Sequence, residues 1–242
     1  MKWLSGMMGC IVIGIIGFDV EAATESMTDC IACHRERNPI LIAEWEQSGH
    51  HRPALDCQTC HGTRHDGTMA AHSRRNEVCM ACHARERQSY TLSKHGVIAL
   101  MEGERMAYPP PSGNGEARAP TCAYCHMHRN THRMTSTATP CQDCHSPRFV
   151  DTWFTSGRKM IAIGAMKVRE AEAVVHRLVR ERMEGAFKAR RIHEIMTRDH
   201  LGRVRLGVGH QSPDDQWWHG QPALDGDLLR IKSILHDALV KR

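Results

Sequence analysis

Helical spacing of apolar residues is clearest in the C-terminal part of the chain. Between about 156 and 198, apolar residues recur at three- and four-residue steps and charged residues fill the opposite face. The apolar positions are Met160, Ile163, Ala171, Val174, Val175, Leu178 and Met183. This pattern predicts a long amphipathic helix that Gly164 or Gly185 bends or splits. A last helix is predicted over about 224–240.

A shorter helix is predicted just before residue 50. Asn38 is a good capping residue, Pro39 suits the first helical position, and Gly49 ends the run 40–48. The rest of the first 150 residues has no sustained period, which indicates loops that join short helices. The expected fold class is therefore all-α.

The cysteines add a specific chemistry to this picture. The chain repeats Cys-x-x-Cys-His five times, and the repeats are Cys30–Cys33–His34, Cys57–Cys60–His61, Cys79–Cys82–His83, Cys122–Cys125–His126 and Cys141–Cys144–His145. In this pattern the two thiols form thioethers with one haem and the histidine binds its iron. Zinc sites usually need two cysteine pairs per metal, and a disulfide framework needs no histidine after each pair. The sequence therefore predicts five covalently attached c-type haems in a loop-rich core.

Histidines outside the motifs are candidates for the second iron ligands. Thirteen of the eighteen histidines lie there, so the supply exceeds the demand of one per haem. Those that lie among the motifs are favoured as ligands: His50, His51, His65, His72, His95, His128 and His132. His176 has charged neighbours one turn away on either side and is expected to face solvent, as are His193 and His236. Most methionines fit helix stripes and are interpreted as packing residues.

The N-terminus has the pattern of a secretory signal. Lys2 precedes the apolar run 3–18, and small residues near Ala22 and Ala23 suit cleavage. The run is short for a membrane span of about 20 residues, although a retained anchor stays an alternative. Export to the periplasm agrees with the haems, which are attached outside the cytoplasm. The predicted units are a signal peptide at 1–23, a pentahaem cytochrome c domain at 24–150, and a C-terminal helical region at 151–242 that packs on the haem core.

The residues that flank the motifs form a recognisable series. The segments are Trp45-x-x-Ser48-x-His50, Cys60-His61-Gly62-x-x-His65, Ser93-Lys94-His95-Gly96, Ala119-Pro120-Thr121-Cys122-Ala123-Tyr124-Cys125-His126-Met127 and Cys144-His145-Ser146-Pro147-Arg148-Phe149. In these segments, over roughly 28–185, the chain resembles hydroxylamine oxidoreductase-like multihaem cytochromes. The resemblance implies that His50, His65 and His95 are second iron ligands, with His72 as a further candidate.

The chain also departs from that family. The enzymes that it resembles carry eight haems, and the fourth is catalytic, with an Asp and a His from a longer following segment over the substrate. Here the segment 127–140 is short and has no acidic residue, and no tyrosine follows the fifth motif. Hydroxylamine oxidation at a tyrosine-linked haem is therefore not expected. The Cys-x-x-Cys-Lys motif of pentahaem nitrite reductases does not occur either.

Three functions remain open from the sequence. The first is an exported electron-transfer protein with mostly bis-His haems, in which His132 or His128 closes the fourth haem. The second is a reductive enzyme that acts on nitrite, nitric oxide or hydroxylamine at an open haem held by His126. The third is a structural or assembly subunit, in which the helix after Ser156 docks onto a partner or forms a trimer.

Charge and composition limit the partners. The formal net charge of +5 omits the haem propionates, and ten ionised propionates on five haems would make the protein negative, so nucleic acid is not an expected partner. Aromatic residues make up only 5% of the chain, so haem faces are expected to supply apolar core. The expected partners are redox proteins, among them a membrane quinol-oxidising cytochrome or a further haem subunit. A homo-oligomer is a further expectation.

Overall fold

The fold is built from helices joined by short connections. The computed structural model describes residues 27–52, 55–65, 68–102, 119–134 and 137–241, and the predicted signal peptide lies outside these ranges. Within them, the only extended pairing is an isolated bridge between Arg52 and Leu55. The all-α fold class is thereby confirmed.

The first part of the chain carries the motifs on short helices. Their bounds are α1 Met27–Arg37, α2 Pro39–Glu46, α3 Cys57–His61, α4 Thr68–Ser73, α5 Asn76–Met80, α6 Ala84–Thr91, α7 Lys94–Glu102 and α8 Cys122–His126. Two 3-10 turns follow, at His128–Asn130 and Thr139–Asp143. The second and fourth motifs are each one whole helix, α3 and α8, while the fifth begins in the second of these turns.

Local capping explains where several of these helices begin. The Asn38 side chain accepts a hydrogen bond from the backbone N–H of Leu41 at 3.3 Å, and Pro39 takes the first position, which confirms the predicted start of α2. The helix ends at Glu46, two residues before the predicted end. Asp56 caps α3 in the same way, through the backbone N–H of Thr59 at 2.7 Å.

The C-terminal part forms a helical bundle. Its helices are α9 Pro147–Arg180, α10 Ala186–Ile195, α11 Leu201–His210, α12 Pro213–Trp217 and α13 Gln221–Val240, with a π-helical segment Met196–His200 between α10 and α11. The predicted start near 156 was wrong, because Ser146 caps the helix through the backbone N–H of Phe149. Gly164 lies inside the unbroken α9, whereas Gly185 separates α9 from α10 with a left-handed φ of 81°.

Apolar faces of the long helices form one buried core. Its completely buried members are Ala171, Leu178, Ala189, Met196, Val204, Leu224 and Ile231. At the crossing of α9 and α11, a Cβ on Gly157 would lie 2.3 Å from Cγ1 of Val208, so a larger residue would force Val208 to shift. The indole N–H of Trp153 also donates to the Val208 carbonyl at 3.0 Å. Helix α11 also packs on α6, and its last residue, His210, meets Tyr90 of α6. The C-terminal bundle therefore lies against the motif-bearing part of the chain.

No helix in the described ranges combines the length and the apolar character that a membrane crossing requires.

Candidate haem sites

The ten motif cysteines lie on or beside their short helices, and no disulfide joins them. Thiols of consecutive motifs are close enough to interact, through a hydrogen bond or electrostatically, in the pairs Cys30–Cys57, Cys60–Cys79, Cys79–Cys122 and Cys125–Cys141. Burial raises the pKa of Cys57 and Cys60, and neighbouring thiolates raise it further. The motifs therefore follow one another in space in the same order as along the chain.

Four motif histidines each face a second histidine from another segment. The ring centres are 6.2 Å apart in His34–His65, 5.8 Å in His50–His83, 6.1 Å in His61–His132 and 6.1 Å in His95–His145. A ligating imidazole nitrogen lies about 2 Å from its metal and about 1.2 Å from its ring centre, so two axial rings on one iron are about 6.3 Å apart. The four separations match that value, and these residues therefore fit a haem iron between each pair.

A buried serine positions His50 at the end of α2. The Ser48 hydroxyl donates to the Trp45 carbonyl at 2.7 Å and accepts from the backbone N–H of His50 at 3.2 Å. Burial lowers the pKa of His50, as does a positive charge on His83. Burial thus favours the neutral imidazole, the form that binds a metal.

A similar local arrangement holds the segment that carries His95. The Ser93 hydroxyl donates to the Tyr90 carbonyl at 2.6 Å and accepts from the backbone N–H of Gly96 at 3.0 Å. A Cβ on Gly96 would lie 1.9 Å from that carbonyl oxygen, so glycine is required here. Burial lowers the pKa of His95 as well. The sequence pattern aromatic-x-x-Ser-x-His thus presents a histidine twice.

His132 does not occupy the place expected for it. The structure places it against His61 of the second motif, whereas the sequence favoured it or His128 for the fourth haem. The cause is Glu44 of α2, whose carboxylate accepts from the backbone N–H of His132 and the hydroxyl of Thr131, both at 2.9 Å. Arg133 lies 3.4 Å from the same carboxylate. The hydrogen bond from His132 is the main reason that the pKa of Glu44 is lowered.

His128 and His51 contact groups other than motif histidines. The His128 ring meets the ring of Tyr124 at 5.8 Å, and its Nε2 lies 3.7 Å from Asp143. His51 packs on Trp45, with ring centres 4.5 Å apart, and its Nδ1 lies 3.1 Å from the carbonyl oxygen of Glu46. The expectation that such histidines bind iron because they lie between motifs is therefore not supported for these two.

His72 stays an untested candidate for the second haem. Burial lowers the pKa of His61, and positive charges on His132, His34 and His72 lower it further, which places all three near that ring. The observed ring pairing is with His132.

The three histidines expected to face solvent divide into two groups. His176 is exposed beside Glu172, and His236 is exposed near the end of α13, as predicted. His193 is half-buried, and its Nε2 is covered, because α10 packs against both α9 and α13. Its predicted exposure was wrong.

His210 is a candidate that the sequence reasoning missed. It is half-buried at the end of α11, and its ring meets the Tyr90 ring edge to face at 6.4 Å. Burial lowers its pKa, a positive charge on His126 lowers it further, and Glu86 opposes this. Its place late in the chain, after a long helix, gave no signal that it lies near a motif.

Comparisons with known proteins agree with the site. The family described as seven times multi-haem cytochrome CxxCH matches residues 28–132 and 128–192. A chain of the Kuenenia stuttgartiensis reducing HAO-like protein complex Kustc0457/Kustc0458 has a similar fold, with a TM-score of 0.51 and 16% identity over 88% of this chain and 85% of that chain. At this identity the likeness is one of fold alone. Covalently bound haem c is the cofactor that the family match supports. The chain therefore belongs to the multihaem cytochrome CxxCH family, and its fold is like that of a hydroxylamine oxidoreductase-like protein, as its flanking residues indicated.

Proposed function

We propose that this protein is an exported pentahaem c-type cytochrome that transfers electrons through a chain of mostly bis-His haems. Haem-based electron transfer is the function that the family and the fold support. The observation that carries the finer proposal is the set of four histidine pairs with ring centres 5.8–6.2 Å apart. An iron with two histidine ligands has no position for a substrate, which favours conduction over catalysis.

The order of the motifs supports a continuous path. The thiols of each motif lie beside those of the next, from Cys30 and Cys57 to Cys125 and Cys141. When bound, the haems supply the change of oxidation state. The residues of this chain fix the rings and set each potential through ligand, burial and charge.

The proposed ligands follow from these contacts. The ten motif cysteines hold the haems, and the motif histidines bind the irons from one side. The second ligands are His65 for the first haem, His132 for the second, His50 for the third and His95 for the fifth. His72 is the alternative at the second haem.

Export and partners belong to the same proposal. Residues 1–23 act as a signal peptide, and the mature protein is periplasmic, with a haem domain to residue 150 and a helical region after it. Its partners are redox proteins, including a further haem subunit or a membrane quinol-oxidising cytochrome. The chain with the similar fold belongs to a complex named for two proteins, Kustc0457 and Kustc0458. This supports the proposal that the present chain also binds a partner subunit.

The ferric holoprotein tests the proposal. Purified protein should contain five haems per chain by haem assay and mass, and its electron paramagnetic resonance spectrum should show low-spin iron only. The reduced protein should not bind carbon monoxide, and nitrite or hydroxylamine should leave the spectrum unchanged. One high-spin haem that binds such ligands would overturn the proposal in favour of a reductase at the fourth motif.

Cell fractionation tests the location. The protein should leave the cell with the periplasmic extract, and its first residue should lie near position 24. Retention in the membrane fraction with an intact N-terminus would contradict cleavage.

A further inference from the structure

We infer that His210 is the second iron ligand of the fourth haem, opposite His126. The inference rests on the proposed function and completes it, because it names a second ligand for His126, the one motif histidine that the four ring pairs leave out. It draws on a residue outside the motif region, at the C-terminal end of α11.

Two hydrogen bonds and a left-handed residue fix the end of α11 on which His210 lies. The Trp153 indole of α9 donates to the Val208 carbonyl at 3.0 Å, and the Gln216 amide of α12 donates to the Gly207 carbonyl at 2.6 Å. Gln211 then ends the helix in the left-handed conformation, with φ at 58°. The direction of His210 is therefore set by the bundle, which is what a ligand to a fixed iron requires.

Helix α6 connects His210 to the fourth motif. Tyr90 of α6 meets the His210 ring at 6.4 Å, and its hydroxyl donates to the Pro120 carbonyl at 2.8 Å, just before α8. Glu86, on the same helix, acts electrostatically on both His126 and His210, and a positive charge on His126 lowers the pKa of His210. The fourth motif, α6 and the end of α11 thus form one cluster.

One ring nitrogen of His210 is buried without a partner among the described residues, as is one of the proposed ligand His50. The Nδ1 atom of His210 is buried without a hydrogen-bond partner in the described part of the chain. The Nδ1 of His50, which pairs with His83, is in the same condition. A buried polar nitrogen without a partner is unfavourable, and a bound haem is one group that would change its surroundings.

The consequence concerns the choice between conduction and catalysis. With His210 in place, all five irons are six-coordinate and the fourth haem has no free position. Ligand chemistry at this haem would then require the end of α11 to move.

His210→Ala in the holoprotein is the direct test. One haem in five should change from low-spin to high-spin in the ferric protein, and the reduced protein should bind about one carbon monoxide per chain where the parent binds none. Added imidazole should restore the low-spin spectrum by occupying the vacated position.

His128→Ala is the matched control. This histidine is two residues from His126, and its Nε2 is also buried without a hydrogen-bond partner. The inference requires that its removal leaves every haem low-spin. A high-spin haem in His128→Ala but not in His210→Ala would transfer the role to His128.

The outcomes separate the inference from the proposed function. A high-spin haem in the parent protein overturns both. A parent with low-spin haems only, together with an unchanged His210→Ala spectrum at full haem content, overturns the His210 assignment and leaves the electron-transfer proposal standing.

His210→Met covers the case in which the alanine variant fails to fold. A methionine ligand would keep the iron six-coordinate and raise the reduction potential of one haem, because Met/His ligation has a higher potential than bis-His ligation. An unchanged set of potentials in a folded His210→Met protein would reject the ligand role.

Discussion

His61 and His132 lie with their ring centres 6.1 Å apart, although one ends the second motif and the other lies between the fourth and fifth motifs. The same holds for His50, which precedes the second motif and faces His83 of the third. Each proposed haem therefore joins two distant segments of the chain. Haem attachment and the folding of the motif region should be coupled, because the second ligands come together only when these segments do.

Replacement of His132 should open the second haem. In His132→Ala we expect one low-spin haem to become high-spin, since His61 would lose the ring that faces it. The matched variant His72→Ala removes the nearby alternative and should leave the low-spin count unchanged. Electron paramagnetic resonance of the two ferric proteins decides between the candidates, and the opposite result would assign the haem to His72.

Removal of the Glu44 carboxylate should loosen the loop that carries His132. Glu44→Ala leaves the backbone N–H of His132 and the hydroxyl of Thr131 without their acceptor, at a cost of about 1–2 kcal/mol in unfolding free energy. The second haem should then take up added imidazole or carbon monoxide partially. Glu46→Gln is the control, because the Glu46 side chain pairs with Arg35 at an exposed position. An equal effect in both variants would argue against a specific role for Glu44.

The same contact predicts a dependence on pH. The pKa of Glu44 is lowered in the folded protein, chiefly by the hydrogen bond from His132. Its contribution to stability is therefore complete above the ordinary glutamate pKa and is lost as the pH falls through the lowered value. Acid titration of unfolding should show a smaller decline in Glu44→Gln than in the parent over that window. Identical titration curves would refute this prediction.

Features that depend on residues close together in the chain, such as helix starts, could be predicted from the sequence. Contacts between residues far apart in the chain could not. Asn38 and Pro39 set the start of α2 locally, so the prediction held. His132 is held by Glu44, which is 88 residues away, so its position between two motifs did not indicate that it would lie beside His61. For the same reason the sequence did not indicate His210, the ligand inferred for the fourth haem.

Helix ends show a similar limit. Glycine has a low helix propensity, so Gly164 suggested a helix end. In the structure Leu201 and Leu224 pack at Gly164, and α9 continues through it. Gly185 has a left-handed φ and lies between the end of α9 at Arg180 and the start of α10 at Ala186. The two glycines look alike in the sequence, and tertiary packing decides between them.

The buried hydroxyl of Ser93 should matter more than that of its neighbour Ser89. Both side chains are completely buried, but Ser93 bonds Tyr90 and Gly96 whereas the Ser89 hydroxyl has no partner in the described chain. Ser93→Ala should lower the unfolding free energy by about 1–3 kcal/mol and broaden the spectrum of the fifth haem, because His95 loses its fixed position. Ser89→Ala should be neutral or stabilising. Guanidinium unfolding followed by circular dichroism measures both, and equal losses would contradict the argument.

A side chain at Gly157 should strain the crossing of α9 and α11. In Gly157→Ala the added Cβ would meet Val208 at 2.3 Å, and the strain should cost about 1–3 kcal/mol of unfolding free energy. Val208→Ala in the same chain should recover part of that loss by removing the clashing methyl group. Gly226→Ala is the control, since nothing lies within 4 Å of its new Cβ, and alanine should stabilise the interior of α13 by up to about 1 kcal/mol.

The substitution at Gly157 should also affect the fourth haem, because α11 carries His210. If His210 is the second ligand of that haem, Gly157→Ala should weaken the bond between His210 and the iron. The high-spin fraction of the ferric protein should then increase as the unfolding free energy falls. A destabilised Gly157→Ala protein whose haems all stay low-spin would show that α11 keeps its place without this close contact.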